Sequence, residues 1–474
     1  MSKVRSRSSV VKEILVAVAI FVVFMVTRLP YSRLYSDWDE IWFVPSISWL
    51  TQGYQPYRDF VFGQPPFWLC TITVLWRVAH FSDPWSEYYL AKSLSIVSVA
   101  AIGAMLYLLA HRLYNSRLSG LITSVLFFFS ANSFYYGVTA APEYYATMLM
   151  ILSIFLFLFD KLPYVLLSCL ALGFAVMTRY SIAPFVFVLI AFTLLRARRK
   201  KDWKPIPVAL FGLAVPALVL VPFFGMSIFS FSLGYVAPSY FAQSTSLAEK
   251  FSVFRSAIYT PTYLFTLSGA LPFLAINRDW RKHFILFSLL GLIVPFFYPA
   301  IAEPHRILES EPLACIIGGA ITIPFVKRSK TRSEALRISE LVHSTQLAGM
   351  LTVVCLLMAS IAFLANPRID SSLDKVTDKT RNLYLYSIVS AVKDRTEPGD
   401  YVLCGNPLVA FLANRRMPPL LGIENMTEVS QRYDVKLVTT SGIISPPYFE
   451  EYVKRNYILV QEFPYWGSVY VRKW

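Results

Sequence analysis

The sequence predicts an α-helical polytopic membrane protein with a small α/β domain at its C-terminal end. Three observations carry that prediction. Of 474 residues, 56% are hydrophobic and 15% charged, with a mean hydropathy of +0.52, a composition outside the range of soluble globular proteins. Apolar stretches near the roughly 20 residues that cross a bilayer as a helix recur along the first three quarters of the chain. Beyond residue 366 charged and polar residues return, and short β-rich runs alternate with helical patterns.

The first element is read as an uncleaved helix. The basic stretch MSKVRSRSSV precedes an apolar run at 12–30, but no small-residue cleavage pattern follows it. Further spans are expected at 89–110, 118–136, 143–159, 163–179, 181–195, 206–225, 257–276, 283–300, 308–326 and 345–365, about eleven in all by the length criterion. The run PPFWLCTITVLWRVAHF at 65–81 is judged apart, because counting it as a span would invert everything after it. It opens with Pro65 and Pro66 and carries Arg77 and His80. Its apolar core of about 15 residues suits a helix lying at the interface.

Loop charge agrees. With that helix interfacial, Lys3, Arg5 and Arg7, then His111, Arg112 and Arg117, then RARRKK (196–201), RDWRK (278–282) and KRSKTR (327–332) share one side, which the positive-inside rule makes the cytoplasm. The opposite side receives residues 31–88, the neighbourhood of Arg179, AEPHR (302–306) and everything after 366. The expected location is the cell membrane, or the endoplasmic reticulum membrane in a eukaryote, with the N-terminus cytoplasmic and the C-terminal domain extracytoplasmic. The net charge of +15, from 44 basic and 29 acidic residues, then orients loops and contacts membrane lipids. No basic stretch carries a nucleic-acid recognition motif, so no nucleic-acid partner is expected. The five cysteines stand singly without a CxxC, which suggests neither a zinc site nor a disulfide framework.

Two units follow: a membrane domain, 1–365, whose first outer loop is 31–88, and an α/β domain, 366–474. In the second, helical stretches near 381–394 and 446–456 alternate with DYVLCGNPLVAFLA (400–413), DVKLVTT (434–440), YILVQEF and SVYVRKW. The sequon Asn425-Met426-Thr427 falls there.

Ionisable residues are absent from the middles of the expected spans, where one costs roughly 2.5–3.5 kcal/mol. They collect instead at the outer ends: Asp37, Asp39, Glu40, Arg58, Asp59, Lys92, Glu143, Arg179, Glu303, His305, Arg306, Glu309 and Glu311. That distribution suits chemistry at the membrane surface on a substrate with an apolar tail and a polar head. A structural role also fits each. The three acids of SDWDEIWF (36–43) suit a solvated loop or the first turn of a helix. Glu143 follows a proline and suits a helix N-terminus, and Arg179 and Arg306 suit snorkelling to headgroups. Asp39, Glu40 and His305 together form the one set that suggests a divalent metal, which stays an open expectation.

The order of WDEIWF, then GYQPYRDFVFGQPPFW with its G-Y-x-P-Y-x-D-F core at 53–60, then APE at 141–143, TRY at 178–180, HRIL at 305–308 and ANRRMPP in the tail resembles the polyprenyl-phosphate-sugar glycosyltransferases of the GT-C fold. The nearest resemblance is to the dolichyl-phosphate-mannose protein mannosyltransferases and the bacterial aminoarabinose transferases acting on lipid A. The resemblance implies inverting transfer of a sugar from a polyprenyl-phosphate donor to a protein, lipid or glycan acceptor, with Asp39 as general base and Glu40 as the second catalytic residue beside it. It also implies stabilisation of the leaving phosphate by His305 and Arg306, then Arg179 and Arg58, and a role for Glu143 in orienting the acceptor or holding a cation. Gln64 enters as a further substrate-binding candidate. Relatives often carry an acid two residues before the proline pair; Gly63 stands there in this sequence, which weakens the case for a metal. Glu309 and Glu311 also depart from the family's apolar helix start, and pairing with Arg306 or Arg179 is their one expected use.

Three other readings compete. A lipid-linked glycan flippase or exporter would need a polar midplane. An O-antigen ligase-like enzyme is not expected to place an Asp-Glu pair straight after its first span. A non-catalytic receptor bearing an exposed α/β domain would leave Asp39 dispensable.

Overall fold

The structure, a computed structural model, describes residues 7–34, 39–80, 83–231, 246, 248–250, 266, 269–270, 273, 280–293, 308–322, 379–419, 426–440, 447–463 and 467–473. Most of the span expected at 257–276, the one at 345–365 and the boundary at 366 lie outside these residues, as do Asp37, Glu303, His305, Arg306 and Asn425.

The chain is a polytopic helical membrane protein. Its bundle contains α1 (Arg7–Arg28), α4 (Pro84–Tyr114), α5 (Arg117–Phe128), α6 (Ala131–Tyr135), α7 (Glu143–Phe157), α8 (Leu162–Val176), α9 (Ala183–Lys200), α10 (Pro205–Phe224), α11 (Ser227–Phe231), α12 (Trp280–Ile293) and α13 (Glu311–Gly319). Two further helices of the first loop, α2 (Glu40–Thr51) and α3 (Phe67–Ala79), lie between α1 and α4. Helix α1 shows how little of a membrane helix the protein buries. Glu13, Ala17, Phe24 and Arg28 form its inward stripe, while Val11, Leu15, Val22 and Val26 are exposed to the lipid such residues suit.

Small residues set the close crossing of α8 and α10. A Cβ on Gly173 of α8 would meet Pro216 Cγ of α10 at 2.8 Å, and one on Gly212 of α10 would meet Cys169 Cβ of α8 at 2.8 Å. The two glycines let the backbones approach from both sides, the usual device where no hydrophobic drive separates helix from lipid.

The run expected to span 118–136 is instead broken, the two pieces meeting at 71°. Ser130 explains the break, since its hydroxyl caps the second piece by accepting from the Ser133 amide at 3.2 Å. The interfacial reading of 65–81 matches α3. Trp68, Leu69, Ile72 and Thr73 face the protein, and Val74, Leu75 and Val78 are exposed, a two-sided helix too short to span. Its start is tied to the end of α8 by the Phe67 amide, which donates to the Met177 carbonyl at 3.0 Å.

The C-terminal region holds α14 (Lys379–Lys393), β1 (Val402–Cys404), α15 (Pro407–Leu412), α16 (Met426–Arg432), β2 (Leu437–Thr440), α17 (Pro447–Asn456), β3 (Tyr457–Phe463) and β4 (Gly467–Arg472). The strands form one sheet in the order β1-β2-β4-β3, parallel between β1 and β2 and antiparallel elsewhere. Alternation sends Val402, Cys404 and Leu437 to one core and Leu403 and Val438 to another. Within 400–413 the strand stops early because Asn406 caps α15, accepting from the Leu408 amide at 3.1 Å with Pro407 in the first turn.

The first of those cores is shared with the first loop. Ile41, Val44 and Trp49 of α2 and Trp68 and Ile72 of α3 belong to the same buried cluster as Leu385, Leu408 and Phe411. The Trp49 indole donates to the Met417 carbonyl at 3.2 Å. The loop helices and the sheet region are therefore held together by common packing, though they are far apart in sequence.

Candidate active site

Helix alternation brings the candidate residues to one end of the bundle. There α1, α5 and α8 end while α4, α7, α9 and α13 begin, so Glu40, Lys92, Glu143, Arg179, Glu309 and Glu311 converge although their sequence positions are scattered. The opposite end gathers Glu13, His111, Arg117, Asp160, Arg196 and Lys200, with Glu13 paired to Arg117 at 2.6 Å and Asp160 to Lys200 at 2.6 Å.

Glu40 stands in the first turn of α2 and is fully buried. Lys92 of α4 meets Glu40 Oε1 at 3.0 Å, both side chains being 0% exposed. Tyr88, one turn earlier on α4, donates to Oε2 at 2.6 Å, and the Ala140 amide donates to Oε1 at 2.8 Å. Lys92 also donates to the Leu34 carbonyl and, at 3.3 Å, to the Tyr88 hydroxyl. One carboxylate thus joins the loop, α4 and the segment leading into α7. A buried pair so completely hydrogen-bonded is the kind that survives its own desolvation cost.

Asp39, the preceding residue, is half-buried at the N-cap position of α2, and its carbonyl accepts from the Trp42 and Phe43 amides at 3.1 Å each. The clamp on Glu40 therefore fixes the backbone of Asp39 as well.

A second buried centre gathers the first residue of α7, the link between α8 and α9, and the segment just before α13. Arg179 reaches Glu143 Oε1 through Nη1 at 2.7 Å and Glu309 Oε1 through Nε at 3.0 Å. All three side chains are at most 5% exposed. Ser181 donates to Glu309 at 2.6 Å. The planar guanidinium suits two carboxylates from two directions, which a lysine would not. Glu309 thus has the Arg179 partner its sequence position suggested, while Glu311 accepts from Ser130 of the broken span.

The remaining candidates are apart from these centres. Arg58 has a side chain 63% exposed and pairs with its neighbour Asp59 at 2.7 Å, whose carboxyl the guanidinium hydrogen bond holds below its ordinary range. Gln64 is half-buried, its carbonyl accepting from the Tyr57 hydroxyl at 2.5 Å, and the left-handed Tyr57 (φ 68°) turns the loop there. Of the suggested metal ligands, His305 lies outside the described residues. Among the described residues no three of His, Cys, Asp and Glu converge as a metal would require.

Sequence reasoning counted Lys92 among the outer-end charges without giving it a role, and it missed Tyr88. The available signal was a lysine eight residues into a long helix whose middle is apolar, an expense that demands a buried partner. That the partner is Glu40 is visible only in three dimensions.

The chain matches no family model, and no curated protein matches it in sequence. Its architecture is the GT-C fold of polytopic membrane proteins. Solved structures show this over nearly the whole chain. ArnT from Cupriavidus metallidurans bound to undecaprenyl phosphate is similar with a TM-score of 0.68, covering 98% of each chain at 13% identity. The oligosaccharyltransferase of Archaeoglobus fulgidus in its apo form gives 0.54 at 11% identity, over 100% of this chain and 75% of that one. The same organism's AglB, with an inhibitory peptide and a dolichol-phosphate, gives 0.53 at 10%, over 96% and 74%.

Proposed function

We propose that the protein is an integral-membrane inverting glycosyltransferase that moves a sugar from a polyprenyl-phosphate donor to an acceptor at the outer membrane face. The observation that carries this reading is the half-buried Asp39, set beside the buried Glu40–Lys92 clamp at the end of the bundle that gathers the acidic and basic candidates. The full-length likeness to a structure that binds undecaprenyl phosphate supports the donor class. The basic residues at the opposite end, Arg112, Arg117 and RARRKK at 196–201, support a cytoplasmic N-terminus and an outward-facing site.

In this reading Asp39 takes the proton from the acceptor hydroxyl as its oxygen bonds to the anomeric carbon. The bond from that carbon to the phosphate oxygen breaks, and polyprenyl phosphate leaves from the opposite face. Glu40 positions rather than reacts, since both its oxygens already accept hydrogen bonds. Arg179, shared between two carboxylates, orders Glu143 for the acceptor. The charge on the leaving phosphate is assigned, on the sequence resemblance, to His305 and Arg306.

The test is release of polyprenyl phosphate from a panel of polyprenyl-phosphate sugars by the detergent-purified protein. Asp39→Asn is expected to lower turnover about 10²- to 10⁴-fold, the usual worth of a positioned base, while donor binding persists. Equal turnover in the two proteins would remove Asp39 from the chemistry.

A further inference from the structure

The run ANRRMPP in the tail has no part in the proposed transfer, and the structure places its first residues on a cavity. Between the first loop and the C-terminal region lies a space of about 230 Å³ whose lining includes Ser48, Gln52, Trp76, Asn414, Arg415 and Arg416. One water needs roughly 10–15 Å³, so the space admits a polyatomic group. Gln52, Asn414 and Arg416 are exposed, which puts their side chains within reach of a ligand.

The two arginines are held in different ways. Arg415 commits all five of its N–H groups to neutral acceptors. Its Nε donates to the Thr396 hydroxyl at 2.7 Å, Nη1 to the Ala413 and Asn414 carbonyls at 3.1 and 3.2 Å, and Nη2 to the Lys393 carbonyl at 3.0 Å and to the Thr396 carbonyl. It is a fixed positive charge with no donor to spare. Arg416 is held by its backbone instead: its amide donates to the Asp400 carbonyl at 3.2 Å and its carbonyl accepts from the Val402 amide at 2.9 Å. Neither guanidinium forms an ion pair among the described residues, so Arg416 keeps its donors for a ligand. No ionised acid on the cavity wall opposes this charge. Glu87 borders the space but is fully buried with neither oxygen hydrogen-bonded, a setting that keeps a carboxyl protonated. Asp83, which caps α4, and Glu397 and Asp400, whose charges act on Arg415, do not line it.

Location narrows the anion. Trp76 belongs to the interfacial helix α3, and Pro84, also on the wall, begins α4. The cavity therefore lies at the level of lipid headgroups, where phosphate is the prevailing anion and a guanidinium its matching donor. We propose that this cavity binds a phosphate group, borne by a lipid headgroup or a soluble phosphate, with Arg416 and the Gln52 and Asn414 amides as donors and Arg415 as the fixed charge behind them. The site is distinct from the Asp39 centre, because α2, 12 residues and about 18 Å long, has Asp39 at one end and Gln52 at the other. It does not depend on the transfer reaction.

The full-length detergent-purified protein would be titrated by calorimetry with inorganic phosphate, glycerol phosphate and dihexanoyl phosphatidic acid, a lipid short enough to dissolve, with methyl glucoside as the neutral control. The expected result is millimolar or tighter binding of the phosphates and none of the glucoside. Arg416→Gln should weaken that binding about tenfold or more, the worth of its charge-assisted hydrogen bonds. Gln52→Glu, which sets an opposing charge on the α2 wall, should weaken it as well, and Asp39→Asn should leave it unchanged. Arg416 is exposed, so Arg416→Gln should melt with wild type and its weaker binding cannot be ascribed to misfolding. Tighter binding of phosphatidic acid than of glycerol phosphate supports the site with a lipid headgroup as the source; equal binding supports it with a soluble phosphate. The proposal is overturned if no phosphate binds the wild type at millimolar concentration, if Arg416→Gln or Gln52→Glu binds as wild type does, or if methyl glucoside binds as well as the phosphates.

Discussion

Replacing Lys92 with methionine tests the clamp that fixes the first loop. The substitution keeps the length and volume of the side chain but leaves the Glu40 carboxylate buried without its cation, and it removes the donor to the Leu34 carbonyl and the Tyr88 hydroxyl. Breaking one side of a fully buried pair costs about 3–5 kcal/mol. With unfolding entropy near 2.1 cal/mol/K per residue, 474 residues give about 1 kcal/mol/K, so the loss should appear as a fall of about 3–5 °C in melting temperature. The assay is thermal unfolding of the detergent-purified protein followed by intrinsic fluorescence. Glu40→Gln combined with Lys92→Met, which leaves no unpaired charge, should recover about half of the loss or more. A Lys92→Met protein melting within about 1 °C of wild type would refute the reasoning, as would a double variant no more stable than the single one.

Arg179→Lys should cost about 2–4 kcal/mol, because a single ammonium cannot reach Glu143 and Glu309 together as the guanidinium does; the melting temperature of the variant checks this, and Arg179→Gln should be worse. Gly212→Val, which forces a side chain into Cys169 and the Leu166 carbonyl, should cost about 1–3 kcal/mol by overpacking, read by the same melt. Asp83 caps α4 by accepting from the Trp85 and Ser86 amides at 3.1 and 2.9 Å. Burial would raise its carboxyl, but the Ser86 hydroxyl, which donates to it at 2.6 Å, and the two amides hold it below its ordinary range. The cap therefore contributes fully above about pH 4 and is lost as pH falls through the depressed value. Asp83→Ala should cost about 0.5–1 kcal/mol at neutral pH, the lower part of the capping range because the site is exposed, and the deficit should vanish in melts at strongly acid pH.

Much of the architecture was legible because membranes make strong demands on sequence. A bilayer requires apolar runs of a set length and rejects unpaired charge, so the bounds of α1, α4, α7, α8, α9 and α10 agree with the expected spans to within a few residues, and α3 stood out by its length, its prolines and its charges. In the tail α14, α17, β2, β3 and β4 were legible from their patterns, whereas α15, inside the apolar run 400–413, and α16 were not. The break near Ser130 was not, since an apolar run reads alike whether straight or bent and only the capping hydroxyl marks the bend.

What the sequence by itself determined is the class of the protein, the layout of its helices and the collection of ionisable residues at helix ends, because these follow from local composition and the cost of charge in hydrocarbon. What tertiary structure alone decided is which of those residues meet. Glu40 and Lys92, or Arg179 and Glu309, are pairs set by helix packing across distant segments, as is the shared core of α2, α3 and α15. Sequence separates the half-buried Asp39 from the clamped Glu40 by one position. The fold separates them by burial, because the first turn of α2 directs the Glu40 carboxylate into a ring of donors on α4 and the α7 approach while Asp39 stays half-buried.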